Sequence, residues 1–77
     1  MEKIYLIGDL TRITELSNDT LNYYLRIGLI DEIARSERNN YRYFNDATVK
    51  QIEKIKKLRL ERTSIKELLR RKKDGLL

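Results

Sequence analysis

Apolar residues recur at helical spacing in four stretches of this chain, and a short stretch between the second and third alternates instead. Ile7, Leu10, Ile13 and Thr14 share one arc, with Asp9 in the first turn and Arg12 facing out, which predicts a short first helix. Residues 2–5 form an extended lead-in, with Ile4 and Leu6 available for packing. Glu15 and Leu16 make a tight connection to Ser17, whose side chain can cap the amides of Asp19 or Thr20 at the start of a second helix. There Leu21, Tyr24 and Leu25 fall on a packing arc, opposite Asp19, Asn22, Tyr23 and Arg26. Gly28 can take the left-handed conformation that ends a helix, returning Leu29 and Ile30 to the core.

The period changes after residue 31. The polar run Ser36-Glu37-Arg38-Asn39-Asn40 separates Ile33-Ala34-Arg35 from the strand-forming Tyr41-Arg42-Tyr43-Phe44, which predicts a hairpin at residues 33–44. Asn39-Asn40 tolerates positive φ, Arg42 and Phe44 share one face, and Tyr41 and Tyr43 share the other. Phe44 then points inward and Arg35, Arg38 and Arg42 outward, the alternative for Arg42 being an ion pair with Glu37. Asn45 can cap a third helix carrying Val49, Ile52, Ile55 and Leu58 inward. Arg62-Thr63 breaks that pattern, and Ser64 with Glu67 forms a capping box for a last helix with Ile65, Leu68 and Leu69 inside. The tail Arg70-Arg71-Lys72-Lys73-Asp74-Gly75 is a charge run that frays or leads onward. The predicted fold is mainly helical (all-α): about four helices with a small two-stranded wing, in a single domain spanning residues 1–77. Two short helices so closely joined, the second with a polar face, suggest a helix-turn-helix, although any small helical bundle contains such a pair.

Composition narrows the chemistry. The chain has 77 residues with no Cys and no His, so zinc, haem, iron–sulfur and nucleophile–imidazole chemistry lack their side chains, and the expectation is a non-enzyme without cofactors. No apolar run approaches the length of a membrane span or signal peptide, so the expected location is the cytoplasm, at the nucleoid. The net charge of +5 is unevenly placed: residues 1–34 hold three basic and six acidic side chains, residues 35–77 fourteen and six. A basic balance favours a polyanion as partner, and the plainer explanation is a lysine-rich solvated surface.

The run Ile7-Gly8-Asp9-Leu10, then Thr14, Ser17, Thr20-Leu21, Tyr23-Tyr24, Arg26 and Ile27-Gly28-Leu29-Ile30, resembles the N-terminus of the MerR family of bacterial transcription regulators. Arg35, Tyr41-Arg42-Tyr43-Phe44, Ile52, Ile55, Leu58-Arg59, Ser64-Ile65 and Leu68 follow at the family's spacings, so the resemblance covers roughly residues 4–69. It implies a winged helix-turn-helix that binds double-stranded DNA as a dimer, one recognition helix in each of two successive major grooves, wings on flanking phosphates, and bent, untwisted DNA. It also implies action at a promoter, where RNA polymerase is a further possible partner. Carried over by position, Tyr23, Tyr24 and Arg42 would contact phosphate, and Asp19 and Asn22 would lie nearest the bases. Ser17, Thr20, Arg26, Arg35, Arg38 and Tyr41, with Arg62 and Lys66 as a second wing, complete the candidate surface.

Several positions depart from the family pattern. Asn22 stands where Arg is usual, Leu25 where an acid is common, Glu15, Asn40 and Arg62 where Gly is common, and no proline follows Ile30. The family's long pairing helix and sensor domain have no counterpart in these 77 residues, so a homodimer is expected only of a longer form. An architectural accessory such as a phage excisionase, or a helix-turn-helix turned protein-interaction module, would also fit the pattern.

Overall fold

The computed structural model describes residues 3–77, in the order α1 (Ile7–Thr14), α2 (Asn18–Arg26), β1 (Ala34–Arg35), β2 (Arg42–Tyr43), α3 (Asp46–Leu60) and α4 (Ile65–Lys73). Three helices begin where a side-chain oxygen satisfies a backbone amide that would otherwise lack an acceptor. Ser17 accepts from the Thr20 amide, Asn45 from that of Thr48 and Ser64 from that of Glu67. At α1 the arrangement is reversed: Asp9 Oδ2 accepts from the Leu6 amide at 2.9 Å.

Helices α2, α3 and α4 end in one shared hydrogen-bond motif. Leu29 N–H donates to Tyr24 C=O at 2.8 Å and Gly28 N–H to Leu25 C=O at 3.1 Å, with Gly28 at φ 80°. The ends of α3 and α4 repeat this pattern around Arg62 (φ 66°) and Gly75 (φ 76°). Together with Glu15 (φ 62°) and Asn40 (φ 63°), Arg62 occupies the left-handed region without being glycine. These are the three positions at which the resemblance led to an expectation of glycine, and the backbone takes the left-handed conformation there without it.

The core is one cluster: Leu10, Leu21, Tyr24, Leu29, Ile30, Phe44, Ile52, Ile55 and Leu68, with Tyr5, Val49, Leu58, Leu69 and Leu77 packed against it. Each helix contributes its predicted inward residues except Ile13, and Ile4 and Leu6 of the lead-in, expected to be available for packing, stay exposed. Ile13 is 44 % exposed, and Thr14 takes the buried place beside Leu10 by donating its hydroxyl to the Leu10 carbonyl at 2.6 Å.

The wing is a two-stranded antiparallel ladder with Ala34 opposite Tyr43 and Arg35 opposite Arg42. The extended lead-in is more than a lead-in, because Tyr5 and Phe44 exchange both backbone hydrogen bonds (2.7 and 2.8 Å) and lay the N-terminal segment along β2. The Tyr5 hydroxyl also donates to Asp46 Oδ1 at 2.6 Å, which pushes the phenol's pKa up. Met1 and Glu2 lie outside the described residues, so the start of the expected extended segment is not covered.

The basic C-terminal run does not fray. Glu67 pairs with Arg70 and Arg71, Arg70 also with Asp74, and Lys72 donates to Gly28 C=O and Asp31 Oδ2, both at 2.6 Å. That last pair fastens α4 to the turn leaving α2. Lys56 Nζ donates to Thr14 C=O at the end of α1, where the helix dipole favours a cation, and so ties α3 to α1.

Candidate nucleic-acid interface

Helix α2 turns Leu21 and Tyr24 into the core and leaves Asp19, Asn22, Tyr23 and Arg26 exposed. The Arg26 guanidinium carbon sits 5.6 Å from the Tyr23 ring centroid, a cation–π distance that presents the two side chains as one unit. The helix sends the two tyrosines of the pair into different environments. Tyr23 is 39 % exposed, whereas Tyr24 is 7 % exposed and gives its ring to the core. Ser17 and Thr20 are engaged with each other, Ser17 Oγ donating to Thr20 Oγ1 at 3.0 Å.

The wing meets this helix through Arg42. Its Nη1 lies 3.5 Å from Asn22 Oδ1, and its Nε donates to Glu32 Oε1 at 3.1 Å. Arg42 is therefore half-buried on an ion pair, and the carboxylate involved is Glu32 rather than Glu37. Arg35 docks on the same carboxylate with two bonds, Nε to Oε2 at 2.9 Å and Nη2 to Oε1 at 2.7 Å. Both guanidiniums, Arg35 foremost, hold the Glu32 carboxyl below its ordinary pKa. Because Arg35 and Arg42 are direct cross-strand neighbours, their like charges would repel without this anion between them.

Glu32 was not legible as part of the site. Its spacing of three from Arg35 is the one local hint, while its bond to Arg42 depends on hairpin register.

Tyr41 is 56 % exposed at the turn, and Arg38 and Tyr41 hold their places through backbone amides bonded to Ser36 Oγ and Asn39 Oδ1. Among the described residues, nothing pairs with the Arg38 guanidinium. A cleft of about 520 Å³ separates the start of α1 from the wing, walled by Asp9, Arg12, Asn22, Asn40, Tyr41 and Arg42. Arg62 and Lys66 are exposed at the α3–α4 turn and in the first turn of α4, and no hydrogen bond or ion pair among the described residues joins them to α2 or the wing. No group of three or more metal-ligating side chains occurs among the described residues, and no described helix is long and apolar enough to cross a membrane.

A short helical pair with a capped, polar second helix, flanked by a two-stranded hairpin whose arginine touches that helix, defines a winged helix-turn-helix. The profile described as "MerR HTH family regulatory protein" matches residues 5–72, and the chain belongs to that family. It is similar to Transcriptional regulator BrlR of Pseudomonas aeruginosa, 37 % identical over 71 residues, which cover 92 % of this chain and 26 % of that protein. The chain thus spans about a quarter of that relative's length. No solved structure gives a significant match. Family and fold together make this a DNA-binding transcription-regulator domain.

Proposed function

We propose that this chain is the operator-binding head of a transcription regulator that works as a dimer at a promoter, with α2 in the major groove and the wing on the neighbouring phosphates. The observation that carries this is the Arg42 contact to Asn22, which makes the exposed face of α2 and the wing one continuous polar surface. On that surface Asn22 and Asp19 are the base-edge groups. Tyr23, Arg26, Arg35, Arg38, Tyr41 and Arg42 are the phosphate groups, and Arg62 and Lys66 are outlying cations for the flanking backbone. Since Arg26 is the one cation in α2 and Asp19 opposes it, most backbone attraction comes from the wing.

The test is selection of bound duplexes from a random pool, followed by affinity measurements over a range of salt. With about four to six phosphates neutralised per domain, log affinity falls against log salt with a slope of roughly −4 to −5. A selected duplex is preferred over a shuffled one. Failure to bind any duplex at low salt would point instead to a protein-interaction module.

A further inference from the structure

We propose that Glu32 is a specificity-determining positioning residue: by holding Arg35 and Arg42 on one carboxylate it fixes the wing relative to the reading face of α2, without itself touching DNA. The inference rests on the DNA-binding function proposed above. Three observations carry it. The hairpin register sets Arg35 directly opposite Arg42, an arrangement that disfavours an ordered wing unless an anion lies between them. Glu32 supplies that anion with both oxygens occupied, Oε1 accepting from both arginines and Oε2 from Arg35. Its position is also set from outside the hairpin, because the preceding residue, Asp31, is bonded to Lys72 of α4.

The donors left over suit phosphate. Arg42 commits its Nε–H to Glu32, so both terminal nitrogens, the pair that forks onto an anion, remain uncommitted to that carboxylate. Nη1 is the one beside Asn22. A guanidinium pinned at Nε, steadied at Nη1 by Asn22 and with Nη2 open, reaches the same phosphate on every encounter, which sets the register in which Asn22 meets the base edges. A free arginine would still attract DNA, but it would do so in many registers.

Glu32→Gln is compared with Glu37→Gln, which removes the same charge from the wing loop at a side chain with no ion pair among the described residues. Affinities are measured for a duplex selected from a random pool and for a shuffled duplex of equal length. Glu37→Gln raises both affinities and keeps their ratio. Glu32→Gln raises or preserves shuffled binding while the selected-to-shuffled ratio falls by roughly tenfold, about 1.4 kcal/mol and within what one bidentate base contact discriminates. A ratio unchanged in Glu32→Gln, or changed equally in both variants, overturns the inference while leaving DNA binding intact. A wild-type chain with no preference among duplexes would instead defeat the functional proposal itself. Should Glu32→Gln fail to fold, the wild-type domain still decides. Its Arg35 and Arg42 Nε–H resonances exchange with water more slowly than that of Arg38, and equal exchange for all three sinks the clamp.

Discussion

Two helix ends share one hydrogen-bond motif and differ in the residue at its left-handed position, so they make a paired prediction of opposite sign. At Gly28 (φ 80°) an added Cβ would meet nothing within 4 Å, so Gly28→Ala loses only backbone energy. At Arg62 (φ 66°) the same energy is already stored, and no ion pair or hydrogen bond of its side chain among the described residues offsets it. A left-handed non-glycine residue costs roughly 1–2 kcal/mol, and glycine loses about 0.5–1 kcal/mol more chain entropy on folding. The net effect is about 0.5–1 kcal/mol, destabilising for Gly28→Ala and stabilising for Arg62→Gly. For a domain of this size that corresponds to Tm shifts of about 2–8 °C in opposite directions. Glu15→Gly (φ 62°) follows Arg62→Gly in sign. Thermal and urea unfolding of the three variants reads the result directly. Loss of stability in both Arg62→Gly and Glu15→Gly, or a neutral Gly28→Ala, would refute the reasoning.

Three further outcomes are expected. Arg42→Ala weakens both duplexes and flattens the salt slope by about one unit, the selected duplex losing more because the register-setting phosphate contact goes with it, whereas Asn22→Ala leaves the slope and costs about 1–3 kcal/mol on the selected duplex only; equal losses on both duplexes for Asn22→Ala would end that division. Glu67, brought down to about 2 by Arg70 and Arg71, has a folded pKa below its unfolded one, so its contribution is present above about 4.5 and lost as pH falls toward 2. Acid titration of Glu67→Gln should therefore show a shallower stability loss in that window, and an unchanged profile would place the pairing outside the folding equilibrium. The 77-residue chain sediments as a monomer or a weak dimer at micromolar concentration, since most of its apolar residues serve one core even though Leu60 and Leu76 stay exposed, and a tight dimer would require an interface not visible in this structure.

What was legible in the sequence was local. Ser17, Asn45 and Ser64 announce helix starts because capping depends on residues within one turn, and Gly28 announces an end for the same reason. Arg70-Arg71-Lys72-Lys73 reads as fraying because like charges repel along a helix, yet Glu67 and Asp74 neutralise part of the run and Lys72 leaves it for the turn after α2. Spacing put both Ile13 and Thr14 on the packing arc of α1; Thr14 is buried with its hydroxyl satisfied by its own helix, while Ile13 at the edge of that arc stays exposed. The Tyr5–Phe44 bridge and the Glu32 clamp were out of reach, because each joins residues whose proximity is created by the register of the hairpin and the path of the chain around it.

If the exposed face of α2 and the wing form one DNA surface, the outer face of α3, where Lys50, Lys54 and Lys57 are exposed, lies outside it. Titrating the isotope-labelled domain with a selected duplex, followed by backbone and arginine side-chain resonances, distinguishes them most directly. The largest shifts are expected at residues 17–26 and 35–42, including the Arg42 side chain, with Lys50, Lys54 and Lys57 little changed. Shifts concentrated on those lysines, with Asn22 and Arg42 unmoved, would contradict it.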